Sequence, residues 1–346
     1  MIHNYSKLLL ILFSFLLICI LLYFWWVYAI GFFPLKKTTK NSDYTTFIAE
    51  KLPRAVTEAG GVALENHFYL LGGIGPFAQT CSSFYSYDNG NKEWNRLKDF
   101  PRKISHPGIT AGNGKIYVAG GFDPLGIRLR GFMFANWKPR KSLMIFDPAT
   151  GNWSAGPDMP APRGAGGVCY FDSSIYYVGG IDESKQITNA LFRFNLRTNL
   201  WEILAPMPTP RDHLRLEAVN GVLYAISGRK DDLRFNLTCV EAYDIKSGSW
   251  SKKAPIPVGR GGLGSVVYNG KIYTFGGENV WSCFDTIEEY NPVSDTWKEL
   301  NPLPEPRHGI CAGVIGDEIH TVSGGIKPRI AVSSIHRVIK IDTKNQ

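Results

Sequence analysis

The stretch Ile272-Tyr273-Thr274-Phe275-Gly276-Gly277, followed by Tyr290-Asn291 and then Trp297, decides the fold. A short run of β-branched and aromatic residues that ends in a glycine pair reads as a buried strand halted by a turn. Working outward, the same phrase recurs as Phe68-Tyr69-Leu70-Leu71-Gly72-Gly73, Ile116-Tyr117-Val118-Ala119-Gly120-Gly121 and Ile175-Tyr176-Tyr177-Val178-Gly179-Gly180. It returns as Leu223-Tyr224-Ala225-Ile226-Ser227-Gly228 and Ile319-His320-Thr321-Val322-Ser323-Gly324-Gly325. The first small residue is read at 72, 120, 179, 227, 276 and 324, in steps of 48, 59, 48, 49 and 48.

Other elements keep pace. Trp94, Trp153, Trp201, Trp250 and Trp297 each stand 26 or 27 residues before the next pair. Tyr87-Asp88, Phe146-Asp147, Phe194-Asn195, Tyr243-Asp244 and Tyr290-Asn291 precede them. A Pro-Arg or Gly-Arg step closes each repeat, at Arg54, Arg102, Arg163, Arg211, Arg260 and Arg307. Each repeat thus holds four short strands, one sheet that cannot bury both faces alone. Stacking such sheets radially buries them. The glycines allow close backbone approach, and the aromatic side chains fill the wedges between sheets.

Double glycine, aromatic-Asp, Trp and Pro-Arg at nearly 50-residue spacing resembles the kelch family, over residues 44–346. The resemblance implies an all-β, six-bladed β-propeller with strands a to d in each blade and the glycine pair ending strand b. The sixth repeat runs out at Gln346, where its Trp is due. Residues 44–53 are therefore expected to supply the missing outer strand, with Phe47 in the place of Trp, and to remove the open edge.

Leu8 to Phe33 carries no charge. Its 26 residues are long enough for a tilted bilayer-spanning helix and longer than a cleavable signal core. Trp25, Trp26 and Tyr28 suit an interfacial belt. The expectation is a transmembrane signal anchor at 1–33, a linker at 34–43 and the propeller at 44–346. A long cleaved signal peptide is the alternative. Lys36, Lys37 and Lys40 outnumber Lys7, which favours a cytosolic propeller. The short N-terminal tail and the sequons Asn152-Trp153-Ser154 and Asn236-Leu237-Thr238 favour an extracytoplasmic one, which is the orientation expected. Six cysteines without a C-x-x-C step exclude zinc-ribbon and thioredoxin readings and leave one or two loop disulfides open.

The formal charge is +8, of which residues 44–346 carry about +5. That balance admits an anionic partner and requires no nucleic acid. The b–c loops, 74–83, 122–141, 181–189, 229–237, 278–285 and 326–333, differ from one another on a uniform scaffold, so function is expected there. Loop 122–141 adds Arg128, Arg130, Lys138, Arg140 and Lys141 to aromatics that include Trp137. It could grip an anionic or sugar-like ligand or touch a membrane surface; equally, it could pack on itself.

Counting 14 residues back from each pair gives Glu58, His106, Ala165, His213, Gly262 and Ile310; the residues just after it include Arg229 and Glu278. The ligand-binding candidates at the channel mouth are therefore His106, His213, Arg215, Arg229, Arg234, Glu278 and His308, with Glu58 beside them. Arginines suit a carboxylate or phosphate, and Glu with His suits proton transfer, although such residues also simply bind water. Arginines repeated in every blade read as scaffold. His106, His213 and His308 lack ligand spacing, so no metal or other cofactor is expected. Kelch-type copper oxidases need seven blades and a Cys, Tyr and His set that has no counterpart here. No P-loop, GxSxG or HExxH occurs, and Gly259–Gly264 opens a strand rather than a dinucleotide fold.

Two functions follow. The first is a binding module for a protein partner or a small anionic or sugar ligand, anchored to a membrane through the N-terminal helix. The second rests on similarity to bacterial N-acetylneuraminate epimerases, exported six-bladed kelch proteins. It implies a sugar mutarotase, with Glu278 as acid/base and Arg234 holding the sugar carboxylate.

Overall fold

The computed structural model describes residues 2–29, 38–124, 138–329 and 331–342. The chain divides into two units, Met1–Leu35 and Lys36–Gln346. The first contains a helix, Ile2–Ala29. Its described run of side chains, Leu10 to Tyr23, is exposed and largely apolar. Among the described residues, no helix is long and apolar enough to cross a membrane. The flanking side chains of the expected span lie outside the described residues.

The second unit is a six-bladed propeller. Five blades, at residues 60–96, 108–155, 167–204, 215–253 and 264–300, are four-stranded antiparallel sheets. In blade 5 the strands are Gly264–Tyr268, Lys271–Phe275, Ile287–Asn291 and Thr296–Leu300, labelled a to d from the axis outward. The sixth combines Cys311–Ile315, Glu318–Val322 and His336–Ile341 with Tyr44–Ile48. Thr38–Lys40 adds a fifth strand outside Tyr44–Ile48, so the segment expected as linker also pairs into the sheet.

Six apolar clusters, one per seam between blades, form the core of the described residues. Near the axis the blades converge, and side chains must shrink. A Cβ on Gly108 would stand 2.3 Å from Val168 of the next blade. The glycine pair does comparable work further out. A Cβ on Gly276 would meet the Arg307 carbonyl of the next blade at 2.2 Å, while Gly277 N–H donates to that same oxygen at 2.8 Å. The pair is thus a seam between blades, held by backbone and closed to any side chain.

The tryptophans are inter-blade ties. Trp94, Trp153, Trp201, Trp250 and Trp297 each donate their indole N–H to a carbonyl of the preceding blade's outer edge, at 2.8–3.2 Å. Two registers differ from the sequence expectation. Trp297 stands opposite Tyr290, and the matching pair in blade 6 is Thr46 opposite Ile339, whereas Phe47 faces Val338. Thr46 is too short to reach the preceding blade; the fully buried Tyr44, two residues earlier, supplies that tie by donating its hydroxyl to Pro302 O. Phe47 does not. The sixth small pair is Ser323-Gly324, both at positive φ (63° and 95°), with Gly324 N–H bound to Val56 O as Gly277 is to Arg307 O. Reading one residue earlier restores the 26-residue interval from Trp297. Cys81, Cys169, Cys239, Cys283 and Cys311 are all free thiols, so no disulfide joins the loops.

Candidate axial site

The turn between one blade's outer strand and the next blade's inner strand places one residue of each blade on the axis. With the corrected register these are Glu58, His106, Ala165, His213, Gly262 and Gly309, all at φ between 49° and 66°. Backbone hydrogen bonds link them in order. His106 N–H donates to Glu58 O, Ala165 to His106 O, His213 to Ala165 O, Gly262 to His213 O and Gly309 to Gly262 O, at 2.7–3.2 Å. This left-handed ring turns whatever side chain it carries inward. Only Glu58, His106 and His213 carry one longer than a methyl group. A chamber of about 50 Å³ lies against all six, and a tunnel of about 380 Å³ runs between the inner strands.

The polar groups interlock. His106 Nε2 is 3.4 Å from Glu58 Oε2, and His308 Nδ1 is 3.4 Å from Glu58 Oε1 and 3.5 Å from Glu278 Oε2. Arg229 Nη1 donates to Glu278 Oε1 at 3.3 Å, and its Nε is 3.9 Å from Asp212 Oδ2. Asp212 Oδ2 lies 2.6 Å from His213 Nδ1. The Arg329 backbone N–H donates to Glu278 Oε2 at 2.7 Å. Gly325 makes room for His308, since a Cβ there would stand 2.6 Å from its Nε2. All of these side chains except Glu58 are at least nine-tenths buried.

Burial and charge set the protonation. Burial pulls the Glu58 carboxyl up, but His106, His308 and His213 together hold it well below the ordinary carboxylate range. Burial pushes His106 down to about 3 despite the pull of Glu58. Burial also opposes protonation of His308, yet Glu278 and Glu58 more than reverse it and raise that histidine. Within the tunnel, burial raises Glu217 to about 7 against the hydrogen bond it accepts from Ser265 Oγ.

Of the sequence candidates, the fold brings together His106, His213, Arg229, Glu278 and His308. It does not bring Arg215 or Arg234 into the cluster. Arg215 spends its guanidinium on the carbonyls of Leu263 and Ile310, stitching blades 4, 5 and 6. Arg234 is exposed, with its guanidinium against Asp232 and the Phe235 ring, so it is not placed to hold a carboxylate in the channel. Arg128, Arg130 and Trp137 lie outside the described residues. Asp212 was not among the candidates; its only signal is its place beside His213.

The repeated arginines divide from this set. Arg211 pairs with Glu241, and Arg260 with Glu288, all fully or almost fully buried in the blade wall. Arg307 donates to Thr321 Oγ1 and Ser323 O. The loop face above the channel carries exposed aromatics from three blades: Phe77 (53%), Phe235 (51%) and Trp281 (88%).

Comparison with known proteins agrees with the architecture. A family model described as the KLHDC2/KLHL20/DRC7 Kelch-repeats domain matches residues 131–325. Kelch-like protein 41 of Mus musculus is 28% identical over 241 residues, 55% of this chain and 38% of its own length. Kelch-like protein terF of Aspergillus terreus is 27% identical over 185 residues, 50% of this chain and 39% of its own. The chain thus spans about two fifths of the length of these curated relatives. A solved structure titled "Structure of YjhT" superposes with a TM-score of 0.72 at 15% identity, covering 86% of this chain and 98% of that one. At that identity the likeness concerns the fold.

Proposed function

Because the chain belongs to the kelch-repeat family, we propose that its propeller is a binding module that takes a protein partner on the loop face around the channel mouth. The observation that carries this is the placement of Phe77, Phe235 and Trp281, exposed on three separate b–c loops around a buried, charged floor. Large aromatics offered to solvent on adaptable loops are the anchors that partner surfaces use. Exposed Lys230 and Arg234 stand on the Phe235 loop and exposed Arg329 on the corresponding loop of blade 6, which favours an acidic partner. The uncharged run Leu8–Phe33 supports display at a membrane, and the sequons support an extracytoplasmic propeller. A photo-crosslinking residue at position 281 of the membrane-expressed chain should yield a discrete adduct that Phe235→Ser abolishes; no adduct, or one indifferent to Phe235, would refute the surface. Protease protection of the same material tests the compartment: a propeller digested only after permeabilisation from the cytosolic side would reverse the orientation.

A second reading is favoured by the Arg229–Glu278–His308 contact. A buried carboxylate beside an arginine and a histidine can shuttle a proton on a sugar whose own carboxylate the arginine holds. In this reading Arg229 replaces Arg234. Accelerated anomerisation of freshly dissolved α-sialic acid, followed by NMR and lost in Glu278→Gln, would support a mutarotase, and an unaltered rate would leave the binding module alone.

A further inference from the structure

We propose that the axial chamber binds one divalent transition-metal ion through Glu58, His106 and His213, with a fourth coordination position open to the channel. The donors come from blades 1, 2 and 4 at the same ring position, and the donor atoms all lie within 4.8 Å of one another. A tetrahedral ion with metal–ligand distances near 2.0–2.2 Å sets its donors about 3.4 Å apart. His106 Nε2 and Glu58 Oε2 are already at that spacing, 3.4 Å. The His106 and His213 rings meet edge to face with centroids 5.0 Å apart, so a small ring tilt completes the triad.

The second argument is independent of the donors. Asp212, with a side chain only 2% exposed, stands 2.6 Å from His213 Nδ1. The Nδ1–H donates to that carboxylate, which fixes the tautomer and leaves the lone pair on Nε2. A carboxylate holding the far nitrogen of an imidazole is how ligating histidines are oriented and made more basic. Nothing in the blade architecture demands it, because the residue at this place in the other turns is Thr57, Ser105, Gly164, Gly261 or His308.

The donor set selects the ion. Two imidazoles and one carboxylate suit zinc, nickel, cobalt or ferrous iron; calcium and magnesium prefer oxygen-only shells. Glu58, Glu278 and His308 form a second donor group within 4.8 Å. There Glu278 is already committed to Arg229 and to the Arg329 N–H, so the first triad is the better cage.

The test is zinc binding by the purified full chain after chelator stripping, measured by metal analysis and by competition with a chromophoric chelator. One zinc per chain is expected, with calcium failing to compete. Glu58→Gln, which keeps the side-chain volume, should weaken binding more than 100-fold. Asp212→Asn, outside the coordination sphere, should weaken it about 10–100-fold. X-ray absorption should report nitrogen and oxygen ligands. The proposal is overturned if the wild type retains no more zinc than Glu58→Gln, if an Asp212→Asn chain with wild-type circular dichroism binds zinc equally well, or if the absorption edge reports sulfur.

Discussion

In the blade wall, Arg211 meets Glu241 and Arg260 meets Glu288, one carboxylate for each guanidinium. On the axis, three carboxylates, one arginine and three histidines crowd into one cluster with shared partners. Both regions bury charge, yet the wall arginines stand at the same place in every repeat, whereas at the ring position the six blades carry Glu58, His106, Ala165, His213, Gly262 and Gly309. Charge that obeys the repeat serves the repeat. Charge that breaks it, at positions where the fold itself asks only for a turn, is what a ligand would use.

The comparison breaks most easily at the wall. Arg211 donates to Glu241, to Ala225 O and to Thr209 O. Arg211→Ala strands the buried Glu241 carboxylate and should cost about 3–5 kcal/mol in denaturant unfolding. The double replacement Arg211→Met with Glu241→Leu should recover most of that loss, because a balanced pair can be exchanged for apolar volume. If the single variant lost under about 1 kcal/mol, the repeated arginines would not be scaffold.

The two regions also differ in how far the sequence reveals them. Blade number, the long second repeat and closure by the segment near residue 44 were legible, because every seam solves the same packing problem and repeats its residues. The errors were local. Phe47 is chosen because an aromatic is sought near the tryptophan interval, whereas the strand register puts Thr46 there and leaves the tie to Tyr44. Gly324-Gly325 was preferred to Ser323-Gly324 because two glycines look more like a pair, which also displaced the ring residue from Gly309 to Ile310. The channel candidates were half legible. Counting from the glycine pairs found Glu58, His106, His213, Arg229 and Glu278, but His106 and His213 come from different blades, so no linear spacing relates them as donors. Only the wheel brings them together.

The closing seam offers a smaller test. His320 Nδ1 and His336 Nε2 are 2.9 Å apart, packed against Tyr87 and Trp94 where blade 6 meets blade 1. Burial holds His320 down to about 4 and His336 well below its ordinary value. Between pH 4 and 6.5 the unfolded chain binds more protons at these groups than the folded one, so stability falls as pH drops. The contribution is fully present above about 6.5 and lost on approach to about 4, on the order of 3 kcal/mol for a depression of this size. Unfolding free energies at pH 7 and 4.5 should therefore converge in a His320→Gln, His336→Gln variant. An unchanged slope would place the acid sensitivity elsewhere, on the axis rather than the seam.

The smallest expected effect separates two side chains that could hold the closing strand. In five blades an indole N–H ties the outer strand to the blade before it, and in the sixth the Tyr44 hydroxyl makes that tie to Pro302. Tyr44→Phe keeps the ring and removes one hydrogen bond, leaving the Pro302 carbonyl without this donor; the cost should be about 1 kcal/mol. Trp297→Phe removes the corresponding bond between blades 5 and 4 and some ring area besides, so its loss should be somewhat larger. Phe47 is only partly buried, and Phe47→Leu should cost less than either. Were Phe47→Leu the most damaging of the three, Phe47 would be the tryptophan substitute after all, and the latch would hold by packing rather than by a directed bond.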